Sequence, residues 1–183
     1  VEIAGGIFYD EVVDRCRQGD ASGYSILYKR YSKAMFNTSL RIVNNGADAE
    51  DVLQEAFADA FSGLKDFNYS STFGAWLKKI VINKSLNLLR KKKLLLIETD
   101  DEAVQEIKDE ELPDESYLLL QVAKIKKAMQ LLDSGYRSVL SLYLFEGYDH
   151  EEISEIMSMP STTVRSQYMR ARQKLVTLLN KAS

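Results

Sequence analysis

Tyr148 to Leu175 constrains this chain more than any other stretch. Its first half, Asp149 to Met157, is short and acidic, with apolar residues at helical spacing; its second half, Ser161 to Leu175, is basic. Pro160 stands between them, and a proline removes a backbone donor and turns its predecessor away from helix. Asp149-x-x-Glu152 has the form of a capping box, with aspartate in the Ser/Thr place. Ile153, Ile156 and Met157 face inward from the first helix, and Val164, Tyr168, Ala171 and Leu175 from the second. Steps of three and four from Thr162 then place Arg165, Ser166, Met169 and Arg170 outward. The pattern is a helix-turn-helix with a charged second helix.

The rest of the chain is equally poor in breakers. Only Pro113, Pro160 and nine glycines punctuate it, which favours long helices over a turn-rich sheet. Helical spacing predicts a first helix over 7–18, carried by Phe8, Val12 and Cys16. Asp20 is placed to cap a second over 21–43, with Tyr24, Leu27, Tyr28, Tyr31, Met35, Leu40 and Ile42 as core. Asn44-Asn45-Gly46 stops that helix, and Asp48 opens a third over 48–62. A loop, Asp66 to Ser71, precedes a fourth over 72–92, which ends in the basic run Arg90 to Lys93. Spacing resumes over 117–132 (Leu118, Val122, Ile125, Met129, Leu132) and again from Tyr136 to Phe145. The expected fold is all-α: two small helical domains, residues 1–93 and 117–183, joined by an acidic linker, 94–116.

Net charge is −3, but residues 98–115 hold ten acids against Lys108, so the remainder of the chain is +6. That asymmetry says more than the total. A Gly-rich phosphate loop, an HExxH and a Gly-x-Ser-x-Gly are all missing, so no enzyme chemistry, cofactor, metal or small-molecule substrate is expected. Cys16 is the one cysteine and reads as a packed core thiol; His150, the one histidine, reads as a solvated first-turn residue. No run approaches the roughly 18 apolar residues of a membrane span. The acidic start, with Glu2, Asp10 and Glu11, is unlike a signal peptide, and a cytoplasmic protein is expected.

Three further segments each carry two readings. Phe67, Tyr69, Phe73 and Trp76 lie beside Lys78, Lys79, Lys84, Arg90 and Lys91 to Lys93, with Asn83 and Asn87 one turn apart among them. Aromatics and bases so mixed can stack unpaired nucleobases and follow phosphates, or the aromatics can simply be core. Asp48, Asp51, Gln54 and Glu55 form a stripe that is either a solvated face or a docking face for a basic partner. The acidic linker is either a flexible spacer or a nucleic-acid mimic that fills a basic channel. A charged recognition helix sets the class: an arginine there can grip guanine O6 and N7.

These residues resemble the extracytoplasmic-function sigma factors of bacteria, the smallest members of the sigma-70 family. Asp48 to Phe57 looks like region 2.2, Phe73-x-x-Trp76-Leu77-x-x-Ile80-x-x-Asn83 like regions 2.3 and 2.4, and Pro160 to Leu175 like the region 4.2 recognition helix. The resemblance spans about residues 7–180. It implies that Asp48, Asp51, Gln54 and Glu55 dock on the β′ clamp helices of core RNA polymerase, with the β flap as a further polymerase contact. It implies that Asn68, Tyr69, Ser70, Ser71, Thr72, Phe73, Trp76, Lys79, Asn83, Lys84, Asn87 and Arg90 recognise and melt the −10 element of promoter DNA. Thr162, Thr163, Arg165, Ser166, Met169, Arg170 and Arg172 would read the −35 element as duplex. The linker would thread toward the active-site and RNA-exit channels. An anti-sigma factor, often membrane-bound, is a further implied partner. The family often shows Arg-Leu-His where this chain has Gln167-Tyr168-Met169, so its −35 sequence does not carry over. The rival class is a stand-alone helix-turn-helix regulator with a helical sensor domain; it leaves Asp48–Phe57 and the aromatic-basic segment unexplained.

Overall fold

The helices begin where short polar side chains can take up their first amide protons. Asp10 Oδ1 accepts from the Val12 amide at 3.0 Å and caps α1 (Glu11–Arg17). Asp20 Oδ1 accepts from the Ser22 amide at 2.9 Å and caps α2 (Ala21–Val43). Each such cap is worth about 1 kcal/mol. Asn44 closes α2 in the left-handed region, φ 59°, which asparagine tolerates. Asn45 then caps α3 (Gly46–Ser62) by accepting from the Asp48 amide at 3.0 Å, so one Asn-Asn pair ends one helix and starts the next. A 3-10 turn, Leu64–Asp66, leads through a loop to α4 (Phe73–Glu98). After it come α5 (Tyr117–Gln130), α6 (Ser134–Leu144), α7 (His150–Met157) and α8 (Ser161–Lys181). This is a computed structural model, and it describes residues 2–4, 7–98 and 117–181.

The chain divides into two bodies, Val1–Lys91 and Lys92–Ser183. In the first, Val13 and Cys16 of α1, Leu27 and Met35 of α2, and Val52, Leu53, Ala56, Phe57 and Ala60 of α3 close over Phe73, Leu77 and Val81 of α4. Fully burying a side chain such as Leu27 or Phe73 contributes about 1.5–3 kcal/mol. α1 lies against α2 at Gly23, where a β-carbon would come within 2.5 Å of Cys16 Sγ. Cys16 is therefore packed as expected, and burial raises its thiol pKa. Ser85 of α4 donates to Ser39 of α2 at 3.0 Å, a buried polar pair within the same core.

In the second body, Ala128, Met129 and Leu132 pack on Leu140, Ala171 and Leu175. Arg137 is buried beside them, and desolvation pulls its guanidinium down to about 10. It donates to the Leu132 carbonyl at 2.6 Å, next to the C-terminus of α5, where a helix dipole favours a cation.

Several expectations need correction. The first helix starts at Glu11, not residue 7: Ile7–Tyr9 is a strand, β2, paired antiparallel with β1 (Glu2–Ala4), and Phe8 stands opposite Ile3. Tyr28, Val122 and Ile125 keep helical spacing yet stay exposed, although the Tyr28 ring lies 4.8 Å from Phe57 of α3. The fourth helix runs six residues past its expected end, so residues 94–98 of the linker are helical. The rest of the linker, 99–116, and the Leu118 side chain lie outside the described residues. His150 is half-buried and not simply solvated: its ring stacks on Tyr143 at 5.0 Å and meets Tyr168 edge-on at 5.0 Å.

Candidate nucleic-acid and polymerase interfaces

α3 buries Ala49, Val52, Leu53, Ala56, Phe57 and Ala60, which turns the opposite side to solvent. Asp51, Gln54 and Glu55 are exposed there; Asp48, in the first turn, is half-buried. Acids near a helix N-terminus are favoured by its dipole. Glu55 and Asp59 also hold Lys84 of α4, at 3.2 and 2.8 Å. The Asp59 hydrogen bond, ahead of a smaller opposing effect of burial, raises the lysine pKa. This corrects the expectation for Lys84: its ammonium is turned toward α3 and held by the acids there, next to the asparagine stripe and not within it.

Lys79, Asn83, Asn87 and Arg90 do share one exposed stripe of α4, opposite the buried Phe73, Leu77, Val81 and Ser85. Arg90 donates to Asn87 Oδ1 at 2.7 Å. At its N-terminal end the stripe meets the loop Asn68 to Thr72. Thr72 opens α4, its Oγ1 accepting from the Ala75 amide at 3.2 Å. Asn68 and Ser70 are exposed, while Ser71 and Thr72 are half-buried. Phe73 is another correction: at 1% exposure it offers no face to a base. Its ring lies 5.5 Å from Tyr31 and 5.8 Å from Trp76. Phe67 is likewise core, and half-buried Trp76 packs 5.1 Å from it. Of the two readings of the aromatics, core holds for Phe67 and Phe73.

Tyr69 is also drawn inward. Its ring is 4.9 Å from Phe67, its hydroxyl donates to Asp14 Oδ1 at 2.5 Å, and the Arg17 guanidinium lies 5.6 Å over it. Neither Asp14 nor Arg17 is suggested by sequence, because the contact spans 55 residues.

In the second body the capping box is complete. Asp149 Oδ1 accepts from the Glu152 amide at 2.8 Å, and Glu152 Oε2 from the Asp149 amide at 2.9 Å. α7 ends at Ser158 in the left-handed region, φ 54°. The Pro160 carbonyl accepts from the Thr163 and Val164 amides, at 2.9 and 3.1 Å, and so starts α8. Gln167 donates to Met159 Sδ at 3.8 Å across the turn. Val164 and Ala171 are fully buried, and half-buried Tyr168 packs 4.7 Å from Tyr143. Outward stand Thr162, Arg165, Ser166, Met169, Arg170 and Arg172, all exposed; Thr163 is half-buried. Arg165 pairs with Glu151 of α7. The Ser166 hydroxyl donates to the Thr162 carbonyl at 2.9 Å, within its own helix.

An outward basic helix behind so tight a turn defines a helix-turn-helix DNA-binding protein. A family model of sigma-70 region 2 matches residues 27–94, and one of sigma-70 region 4 matches residues 123–175. The chain is 32% identical over 174 residues to the RNA polymerase sigma-H factor of Pseudomonas aeruginosa, with 90% of each chain covered. It is 30% identical over 173 residues to the ECF RNA polymerase sigma-E factor of Escherichia coli, again with 90% of each covered. Two solved structures share the fold. One is the sigma factor RpoE in complex with the anti-sigma factor NepR from Bartonella quintana, with TM-score 0.65, 22% identity, and coverage of 86% of this chain and 96% of that one. The other is CnrH in complex with the cytosolic domain of CnrY, with TM-score 0.57, 24% identity, and coverage of 94% and 97%. The chain belongs to the sigma-70 family, as an ECF RNA polymerase sigma factor. It serves transcription initiation, and a sigma factor is not itself an enzyme. Among the described residues, no helix is long and apolar enough to cross a membrane, and no group of His, Cys, Asp and Glu gathers to hold a metal.

Proposed function

We propose that the two bodies divide promoter recognition. Residues 1–93 dock on the β′ clamp helices through Asp51, Gln54 and Glu55, with Asp48 at the edge, and read the −10 element. Residues 117–183 engage the β flap and read the −35 element through Thr162, Arg165, Ser166, Met169, Arg170 and Arg172, with Thr163 at the margin. The acidic residues between them follow a basic path inside the polymerase. Each reading module is weak alone, and one polymerase holding both raises the effective concentration of the second.

At −10 the working groups are Asn68, Ser70, Ser71 and Thr72 of the loop, and Lys79, Asn83, Asn87 and Arg90 of α4. Trp76 contributes its exposed edge, and Lys84 and Phe73 act from behind. Unstacking a base step costs a few kcal/mol, and stacking a base on an aromatic returns about 1–3. The two nearly cancel, so opening depends on sequence-specific contacts. What carries this reading is the exposed stripe of two asparagines and two cations on α4, continuous with a loop of small polar residues.

An anti-sigma factor restrains the free protein, as the two similar structures were each solved with a partner protein, named an anti-sigma factor in one of them. The protein works in the cytoplasm, where polymerase and promoters are.

The test is reconstitution with bacterial core polymerase and mapping of transcription starts. The expected result is one family of start sites preceded by shared −35 and −10 sequences, and binding to core without DNA. A chain that binds duplex DNA alone, but never core polymerase, would instead be a stand-alone regulator.

A further inference from the structure

Tyr69 sits in the middle of the loop assigned to the −10 element, yet it does not face outward. Its φ is +57°. A bulky L-residue rarely takes that conformation, and holds it only where surrounding contacts over-determine it. Here they do. The hydroxyl donates to the Asp14 carboxylate at 2.5 Å, a charge-assisted bond. Arg17, one turn further along α1, lays its guanidinium 5.6 Å over the ring, while its Nη2 donates to the Lys65 carbonyl at 3.2 Å. The ring also meets buried Phe67, centroid to centroid 4.9 Å. Burial first, then the Asp14 hydrogen bond, raises the phenol pKa, so it stays a donor through the physiological range.

The neighbours of Tyr69 take their positions from it. Asn68 Oδ1 accepts from the Ser70 amide at 3.1 Å, a turn that straddles Tyr69. With the tyrosine held inward, Asn68 and Ser70 are presented on either side of it, both exposed.

We propose that α1 is a clasp for the −10 loop: Asp14 and Arg17 are positioning residues that hold Tyr69 inward and fix Asn68 to Thr72 in the shape that receives an unpaired base. The inference rests on the −10 role proposed above and adds the segment that sets the loop's geometry. A loop already ordered before DNA arrives loses less freedom on binding. In the competing arrangement Tyr69 swings out and itself stacks on the base. The two differ in what the hydroxyl does. A stacking ring does not need it, and the clasp does.

The experiment uses holoenzyme made from the full chain and bacterial core polymerase. The wild type first selects a promoter from a random duplex library. The probe is then a fluorescein-labelled single strand carrying the non-template −10 sequence of that promoter. Tyr69→Phe and Asp14→Ala should each weaken probe binding about 10-fold, the value of a hydrogen bond to a charged group. The double variant should lose no more than either single one, because both remove the same bond. Asp14→Asn, which accepts without charge, should fall between wild type and Asp14→Ala. Core affinity and binding to the −35 duplex should stay at wild-type values, and the melting temperature should fall by the same few degrees in both single variants and the double one, since one bond is lost in each. The clasp is overturned if Tyr69→Phe binds like wild type, if the two losses multiply in the double variant, or if core affinity falls in parallel. A wild-type holoenzyme that selects no promoter overturns the −10 reading, and the clasp with it.

Discussion

Arg165→Ala tests the −35 reading where its magnitude can be worked from the structure. Arg165 is exposed on α8 and paired with Glu151, whose side chain is 61% exposed against 58% for the arginine. A pair so open to water is worth about 0.2–1 kcal/mol. A bidentate arginine–guanine contact is worth about 1–3 kcal/mol. Binding DNA must break the first to make the second, so the net loss on cognate duplex should be about 1–2 kcal/mol, or roughly 5–30-fold in affinity. Glu151→Gln removes the competing pair and should strengthen binding to the cognate duplex by up to about 1 kcal/mol. The assay is fluorescence anisotropy of holoenzyme on a selected −35 duplex and on its scrambled counterpart, at several salt concentrations. If Arg165 reads a base, the loss is confined to the cognate duplex. An equal loss on both, with the salt slope reduced by about one, makes Arg165 a phosphate contact and refutes the argument.

Other outcomes can be checked alongside. Asp51→Lys should reduce co-purification with core polymerase while melting temperature holds, because Asp51 is exposed; undiminished co-purification removes it from the docking face. Phe73→Ala should destabilise the first body by about 3–5 kcal/mol, as for a buried phenylalanine; a variant that melts like wild type while losing −10 binding would restore Phe73 as a direct contact. The Asp20 carboxyl is held down to about 2 by the Ser22 hydroxyl first and then by Arg15. A depressed folded-state pKa gives stability that is full above the unfolded value, near 4, and is lost as pH falls toward 2. The melting-temperature gap between wild type and Asp20→Asn should therefore be constant above about pH 5 and close by pH 2; a gap that widens in acid contradicts the assignment.

Features set by neighbours in sequence were legible, and those set by packing were not. The Asp149–Glu152 box, the Asp20 cap and the bounds of α2 rest on contacts within one turn, so residue order suffices. The inward stripe of α8 follows from spacing alone. Lys84 was misplaced because Asn83 and Lys84 differ by about 100° around the helix, and only the position of α3 decides which way each looks. Val122 and Ile125 show the same limit: periodicity marks an apolar stripe but does not say that anything covers it. The N-terminal hairpin left a signal, Gly5-Gly6 between Glu2-Ile3-Ala4 and Ile7-Phe8-Tyr9, which is a turn pair between strand formers; a helix drawn back to residue 7 overrode it. His150 went the other way. A first-turn histidine among glutamates looks solvated until Tyr143 and Tyr168 are seen to pack on its ring. The Asp14–Tyr69 bond had no signal at all, since nothing local announces a partner 55 residues away.

The ion triad of Lys84, Glu55 and Asp59 has a bearing on how this sigma factor should be dissected genetically. Glu55 belongs to the surface assigned to polymerase, and Lys84 extends from the helix assigned to DNA. A charge-reversed Glu55 would repel polymerase and, in the same stroke, loosen a cation that sits one position from Asn83. Its phenotype would blend an assembly defect with altered promoter affinity, and suppressors would arise on either helix. Alleles at Asp51, which has no part in the triad, separate the two effects.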